Sequence, residues 1–186
     1  MSHLHTPVES PLYEADLARM GYVANYTRVF ALAPDVYAAW RQLGAAVAGG
    51  MDNRRYELVT LAAARRLRSR YCSLAHAGVL VDRYVDADTL DAMVRDHTAA
   101  GLDPVDVAIM DFAAQIAGDP ASATAEQVEA LRGHGLSEAD IFQVVLAVMA
   151  RRFFAGTLDA TGAVPDSALL DRTDTRAADL VNREDQ

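Results

Sequence analysis

Through most of this chain the apolar positions recur every three or four residues, the spacing that puts one buried stripe on a helix. Val36, Trp40, Leu43 and Val47 form such a stripe over residues 35–49, and Gly49-Gly50 closes it. Asn53 is placed to cap the next helix, which runs to about Leu67 with Leu58, Leu61 and Ala62 turned inward. A third helix begins near Ser69 and continues to Tyr84, and Asp86 or Asp88 caps a short one through Val94. Asp103-Pro104 pairs a capping side chain with proline at the first helical position, and so starts a helix over 105–117 around Ile109, Phe112, Ala113 and Ile116. Thr124 with Gln127 is a capping box whose helix stops at Gly133 or Gly135. Ser137 caps the last long helix, which carries Ile141, Val144, Val145, Val148 and Met149.

Ahead of these elements, residues 1–12 with Pro7 and Pro11 read as an irregular arm, and Tyr13 to Ala31 as one or two short helices. Beyond Pro165 the chain is polar, rich in Asp and Arg, with one loose helix at most. Alternation with period two is scarce and no repeat recurs at a fixed period. The expected fold is therefore an all-α helical bundle of one domain. Its parts are an arm with short helices over 1–34, a helical domain over 35–166 and a polar tail over 167–186.

Composition narrows the function. The 186 residues are 52% hydrophobic and 23% charged, enough apolar material for a real core. A net charge of −9 argues against nucleic acid as a partner, because phosphate binding needs a basic patch. All 17 basic residues are arginine, which excludes Schiff-base and other lysine chemistry. The longest apolar run, Val144 to Ala150, is far short of the roughly 20 residues that cross a bilayer, so no membrane span is expected. The first residues have neither a basic start nor an apolar stretch, so no signal peptide is expected either. A single cysteine permits no intrachain disulfide, and the expected compartment is the cytoplasm.

Candidate chemistry concentrates around that cysteine. Cys72 and His76 are four apart, so one helix places them on a shared face about 6 Å apart, where the imidazole can take the thiol proton. With Ser69 as N-cap, Cys72 lies in the first helical turn, where unpaired N–H groups and the helix dipole favour a thiolate. Arg68 and Arg70 push the same way. If the two helices form a hairpin with its turn near Arg68, Glu57 falls about one turn from His76. It can then orient or protonate the ring, directly or through water. Ser69 and Tyr71 are secondary candidates by adjacency, and a plain N-cap is the preferred reading of Ser69. Each member also has a structural reading: a lone helical cysteine is commonly a small buried hydrophobe, and Glu57 can simply answer the helix dipole.

The run Glu57-Leu58-Val59-x-Leu61-Ala62, then Tyr71-Cys72-x-x-x-His76, resembles the alkylhydroperoxidase D and carboxymuconolactone decarboxylase superfamily. The resemblance extends from about Tyr37 to Asp166. Its later stretch, Asp119-Pro120-Ala121-Ser122-x-Thr124, Val128-x-x-Leu131-Arg132 and Gly135-Leu136-Ser137, resembles the peroxidase-related branch in particular. The resemblance implies an AhpD-like all-helical fold, assembled as homotrimers or homohexamers. In the family's peroxidases a Cys-x-x-Cys-x-x-x-His motif reduces hydroperoxides with an upstream glutamate in a proton relay. By position Cys72 matches the attacking cysteine, His76 the histidine and Glu57 the glutamate. The first cysteine of the motif is Ser69 here. A serine cannot resolve a sulfenic acid, so an external thiol or Cys72 of another subunit would have to complete turnover.

Other features change this little. His3 and His5 sit in a terminal stretch, His97 and His134 at predicted helix ends, and one cysteine with scattered histidines does not supply a zinc site. No metal and no cofactor is expected. Arg151-Arg152-Phe153-Phe154 is read as two packed phenylalanines with solvated arginines. The Trp40 and Phe153-Phe154 stripes exceed what one small domain needs, which favours a homo-oligomer. Three functions remain open. One is a thiol-dependent hydroperoxide reductase that draws on an external thiol. Another is a decarboxylase acting on a carboxylated lactone through Glu57 and His76. The last is a non-catalytic oligomer that binds a small ligand.

Overall fold

The computed structural model describes residues 2–172, and among these there is no strand. The all-α expectation holds. Helices α1 (Pro11–Met20) and α2 (Asn25–Phe30) come from the segment read as arm and short helices. Ser10 starts α1 by accepting from the Leu12 N–H, with Pro11 in the first turn, and Gly21 ends it at φ 79°, a left-handed position that glycine takes without strain. Then follow α3 (Pro34–Gly49), α4 (Asn53–Arg66), α5 (Arg70–Arg83), α6 (Ala87–Asp96), α7 (Pro104–Gly118), α8 (Ala125–Gly133), α9 (Glu138–Ala160) and α10 (Ser167–Arg172). The polar tail beyond residue 172 lies outside the described residues.

Most starts and stops follow the side chains that predict them. Asp86 caps α6, the Thr124–Gln127 capping box forms on α8, and Ser137 caps α9, where Asp140 completes a second box. One start is shifted. Asp52, not Asn53, caps α4, accepting from the Arg55 N–H at 3.0 Å. A carboxylate one residue earlier satisfies the same orphan donors and adds negative charge at the positive helix end.

Helix α4 is the axis of the bundle. Seven successive residues, Leu58 to Ala64, are buried, so it is covered on every side, by α5, α7 and α9 above all. One core joins α4 to α7 and α9 through Leu58, Leu61, Ile109, Phe112, Val144 and Val148. A second gathers Phe30, Tyr37, Tyr71, Cys72, Phe154 and Leu158 beneath the N-terminal helices. The α3 stripe is only partly buried, with Val47 inside but Val36 and Leu43 about half exposed. Helix α9 is 23 residues long and apolar enough, by length and composition, to cross a membrane. Its inward side, Val144, Ala147, Val148, Ala155 and Leu158, is packed in these cores.

The α4–α5 turn sets up the site. Arg68 takes φ 57° just past the end of α4, and the N–H groups of Ser69 and Arg68 return to the carbonyls of Ala64 and Arg65 at 3.0 and 2.9 Å. This is a Schellman closure with arginine where glycine is usual, at a cost of about 1 kcal/mol. It folds α5 back along α4 at once, bringing His76 beside Glu57.

Candidate active site

Three helices supply the site. Cys72 is the third residue of α5 and is 1% exposed. His76 lies one turn further on, 12% exposed at its side chain, and its Nδ1 stands 2.6 Å from Glu57 Oε2 on α4. The sequence placed Glu57 about a turn from the histidine; the hairpin brings it into direct contact. Thr60 Oγ1, 3.1 Å from the same nitrogen, donates its own proton to the carbonyls of Tyr56 and Glu57 and so presents a lone pair to the ring.

Burial disfavours the charged imidazole, and the nearby guanidinium of Arg151 adds to this. The bond to Glu57 opposes both, but the His76 pKa still falls below its ordinary value. The ring is therefore neutral near pH 7. An ionised carboxylate can only accept, so Nδ1 carries the proton and Nε2 is left with a lone pair able to receive another.

The third helix is α9. Arg151 Nη1 donates to Cys72 Sγ at 3.5 Å, and the arginine is itself buried at 6% exposure. Burial works against its charge, but the Cys72 sulfur and the Tyr56 hydroxyl outweigh that and hold its pKa above the usual value. Its guanidinium also lies over the Phe154 ring at 5.7 Å, and Phe154 stacks on Trp40 at 4.3 Å. The sequence reading of Arg151 as a solvated neighbour of packed phenylalanines is corrected here. Arg151 and Phe154 are inside, whereas Phe153 is 45% exposed. The periodicity carried the signal. Val144, Ala147, Val148, Phe154, Ala155 and Leu158 stand three, four or seven residues from Arg151, and all are buried. By contrast, Arg68 and Arg70 are exposed and their charges are screened by water, so the cation beside the sulfur comes from α9.

The two secondary candidates are held elsewhere. Ser69 occupies the N-cap position of α5 but makes no capping bond; its hydroxyl donates to Asp159 Oδ1 at 3.1 Å. Tyr71 points its hydroxyl at Asp166, which also accepts from the Asn25 N–H at 2.8 Å. That places Tyr71 in a clasp between α5, α2 and the segment after α9, not at the sulfur.

Residues 34–115 match the family model described as carboxymuconolactone decarboxylase family. The match covers less than half of the chain and is a likeness of that segment to the family. The matched segment contains Glu57, Thr60, Cys72 and His76, while Arg151 lies beyond it. Solved structures share the fold across nearly the whole chain. A peroxidase-related protein with an alkylhydroperoxidase AhpD core, from Ralstonia eutropha JMP134, superposes with a TM-score of 0.80 at 20% identity, covering 90% of this chain and 94% of its own. A peroxidase-related protein from Silicibacter sp. TM1040 gives 0.80 at 20% identity, covering 90% and 93%. A cysteine-to-alanine variant of the debrominase Bmp8, in complex with 2,3,4-tribromopyrrole, gives 0.76 at 15% identity, covering 93% and 97%. At these identities the likeness is one of fold. None of the curated proteins matches the chain.

Proposed function

We propose that this protein is a thiol-dependent hydroperoxide reductase in which Cys72 is the nucleophile and His76, oriented by Glu57, is the proton carrier. The observation that carries the reading is the buried Arg151–Cys72 contact. A guanidinium sealed from water favours negative charge beside it, and of the two groups in its reach, the Cys72 sulfur and the Tyr56 hydroxyl, the sulfur is the nucleophile. The thiol proton passes to His76 Nε2, and the resulting imidazolium is stabilised by Glu57. The sulfur attacks the nearer peroxide oxygen, the O–O bond breaks, and the leaving alkoxide takes the proton back. The thiol and ROOH thus become a sulfenic acid and ROH. Two equivalents of an external thiol then return the sulfenic acid to the thiol, giving a disulfide and water, because Ser69 cannot do so.

Sulfenic-acid trapping on intact protein tests this. One equivalent of organic hydroperoxide should yield a trapped adduct at Cys72 that falls sharply in His76→Ala. No adduct in the wild type would refute the reading. The Glu57–His76 bond, which is made without Cys72, favours a second reading, a decarboxylase of the carboxymuconolactone type using this pair for proton transfer. Turnover of a carboxylated lactone that survives Cys72→Ser would establish it. The exposed apolar side chains of Val36, Leu43 and Phe153 support assembly of several copies, and a monomer by light scattering at micromolar concentration would contradict that.

A further inference from the structure

A pocket of about 260 Å³ opens between α4, α6 and α7, on the side of α4 turned away from Glu57, Thr60 and Ala64. Its floor is apolar: Ala62, Met93 and Met110 are all at least nine-tenths buried. Its rim is basic, formed by Arg65, Arg66 and His97.

Each basic group is held in place differently. Arg65 Nη2 donates to the Val94 carbonyl at 2.7 Å, which fixes its guanidinium at the edge of α6. His97 Nε2 lies 2.7 Å from Asp111 Oδ1, a carboxylate on the solvent side of α7. Arg66 lies across the end of α7 and makes no hydrogen bond or ion pair among the described residues. It can lie there because residue 118 is glycine: a Cβ at that position would fall 2.6 Å from Arg66 Nε. Two arginines and a histidine therefore converge on one concavity, with Asp111 engaging the histidine, in a chain whose net charge is −9. Surface arginines scattered over an acidic protein need no explanation; two of them beside a histidine around a buried methionine floor make a site that is apolar at its base and cationic at its mouth.

We propose that this pocket binds a small monocarboxylate, its short apolar tail on Met93 and Met110 and its carboxylate at Arg66 and Arg65. A carboxylate fits because it can accept from a guanidinium fork in two parallel bonds. The volume, below the roughly 300 Å³ where drug-sized sites begin, limits the tail to a short one. The site is separate from Cys72 and does not depend on the peroxidase reading.

The test is a titration of the full-length protein, labelled at the methionine methyl groups, with hexanoate as the probe. The proposal expects the Met93 and Met110 methyl signals to shift in a saturable way, with the same curve in Cys72→Ser. Arg66→Gln, a change at an exposed position, should weaken binding about tenfold, as loss of a charged hydrogen bond does. Gly118→Ala should weaken it too while keeping every charge, because the new methyl group displaces the guanidinium. Hexanamide, the neutral analogue, should bind far more weakly. Equal shifts with hexanoate and hexanamide would reduce the pocket to a greasy dimple. Absence of Met93 and Met110 shifts at millimolar hexanoate would overturn the proposal outright.

Discussion

Arg151 Nη1 on α9 stands 3.5 Å from the sulfur of Cys72 on α5, and both side chains are closed to water. If that cation holds charge on the sulfur, Arg151→Met should slow alkylation of Cys72 by iodoacetamide at neutral pH about tenfold or more, since a charged hydrogen bond contributes roughly 1.5–3 kcal/mol. Arg151→Lys should recover part of the rate, because the ammonium keeps the charge but not the planar fork. Equal rates in wild type and a folded Arg151→Met would remove Arg151 from the chemistry.

The depressed His76 pKa, caused first by burial and then by Arg151, makes stability depend on pH in a stated direction. Unfolded, the ring takes a proton near about pH 6.5; folded, it resists until lower pH. Between those values the unfolded state binds more protons. The stability His76 contributes as a neutral ring is thus complete above about pH 6.5 and lost progressively below it, by at most about 1.4 kcal/mol per pH unit. Urea melts at pH 7.5 and 5.5 should show a larger drop in the wild type than in His76→Gln. Equal drops would assign the acid sensitivity to other groups.

Tyr71→Phe should cost stability and spare the chemistry. Burial, and then its bond to Asp166, hold the Tyr71 pKa above the ordinary value, so the phenol remains a donor throughout the physiological range. Removing the hydroxyl leaves the buried Asp166 with one fewer donor, a loss of about 1–3 kcal/mol. Thermal melts should report it, while trapping of oxidised Cys72 proceeds at the wild-type rate. A fall in trapping without a fall in stability would restore Tyr71 to the reacting centre.

Ser69→Cys should change the fate of the oxidised sulfur. Ser69 is the N-cap residue and Cys72 the third residue of the same first turn. A thiol there is placed to condense with the sulfenic acid, so peroxide should remove two hydrogens from the protein mass instead of adding one oxygen. Persistence of the trapped adduct in that variant would mean the two side chains do not meet.

Much of this architecture was legible in the chain because it is local. The capping boxes at Thr124 and Ser137 act within one turn, and the spacing from Cys72 to His76 is fixed by helical pitch. Even the Glu57 contact follows from one hairpin with its turn near Arg68, which brings the carboxylate within direct reach of His76. What escaped was non-local. Ser69 and Tyr71 look like members of the cysteine motif, but their hydroxyls are drawn off by Asp159 and Asp166, 90 and 95 residues away in sequence. Arg151 sat on a stripe of buried positions, yet the identity of the group awaiting its charge lies on another helix.

The separation of Arg151 from Cys72 bears on how the protein is made. Glu57 and His76 are 19 residues apart and can meet as soon as their hairpin leaves the ribosome, but the guanidinium arrives 79 residues after the sulfur. If Arg151 is what holds charge on that sulfur, a nascent chain that has finished α5 but not α9 carries an unarmed thiol. Its activation then waits for α9 to be made and to pack against α5.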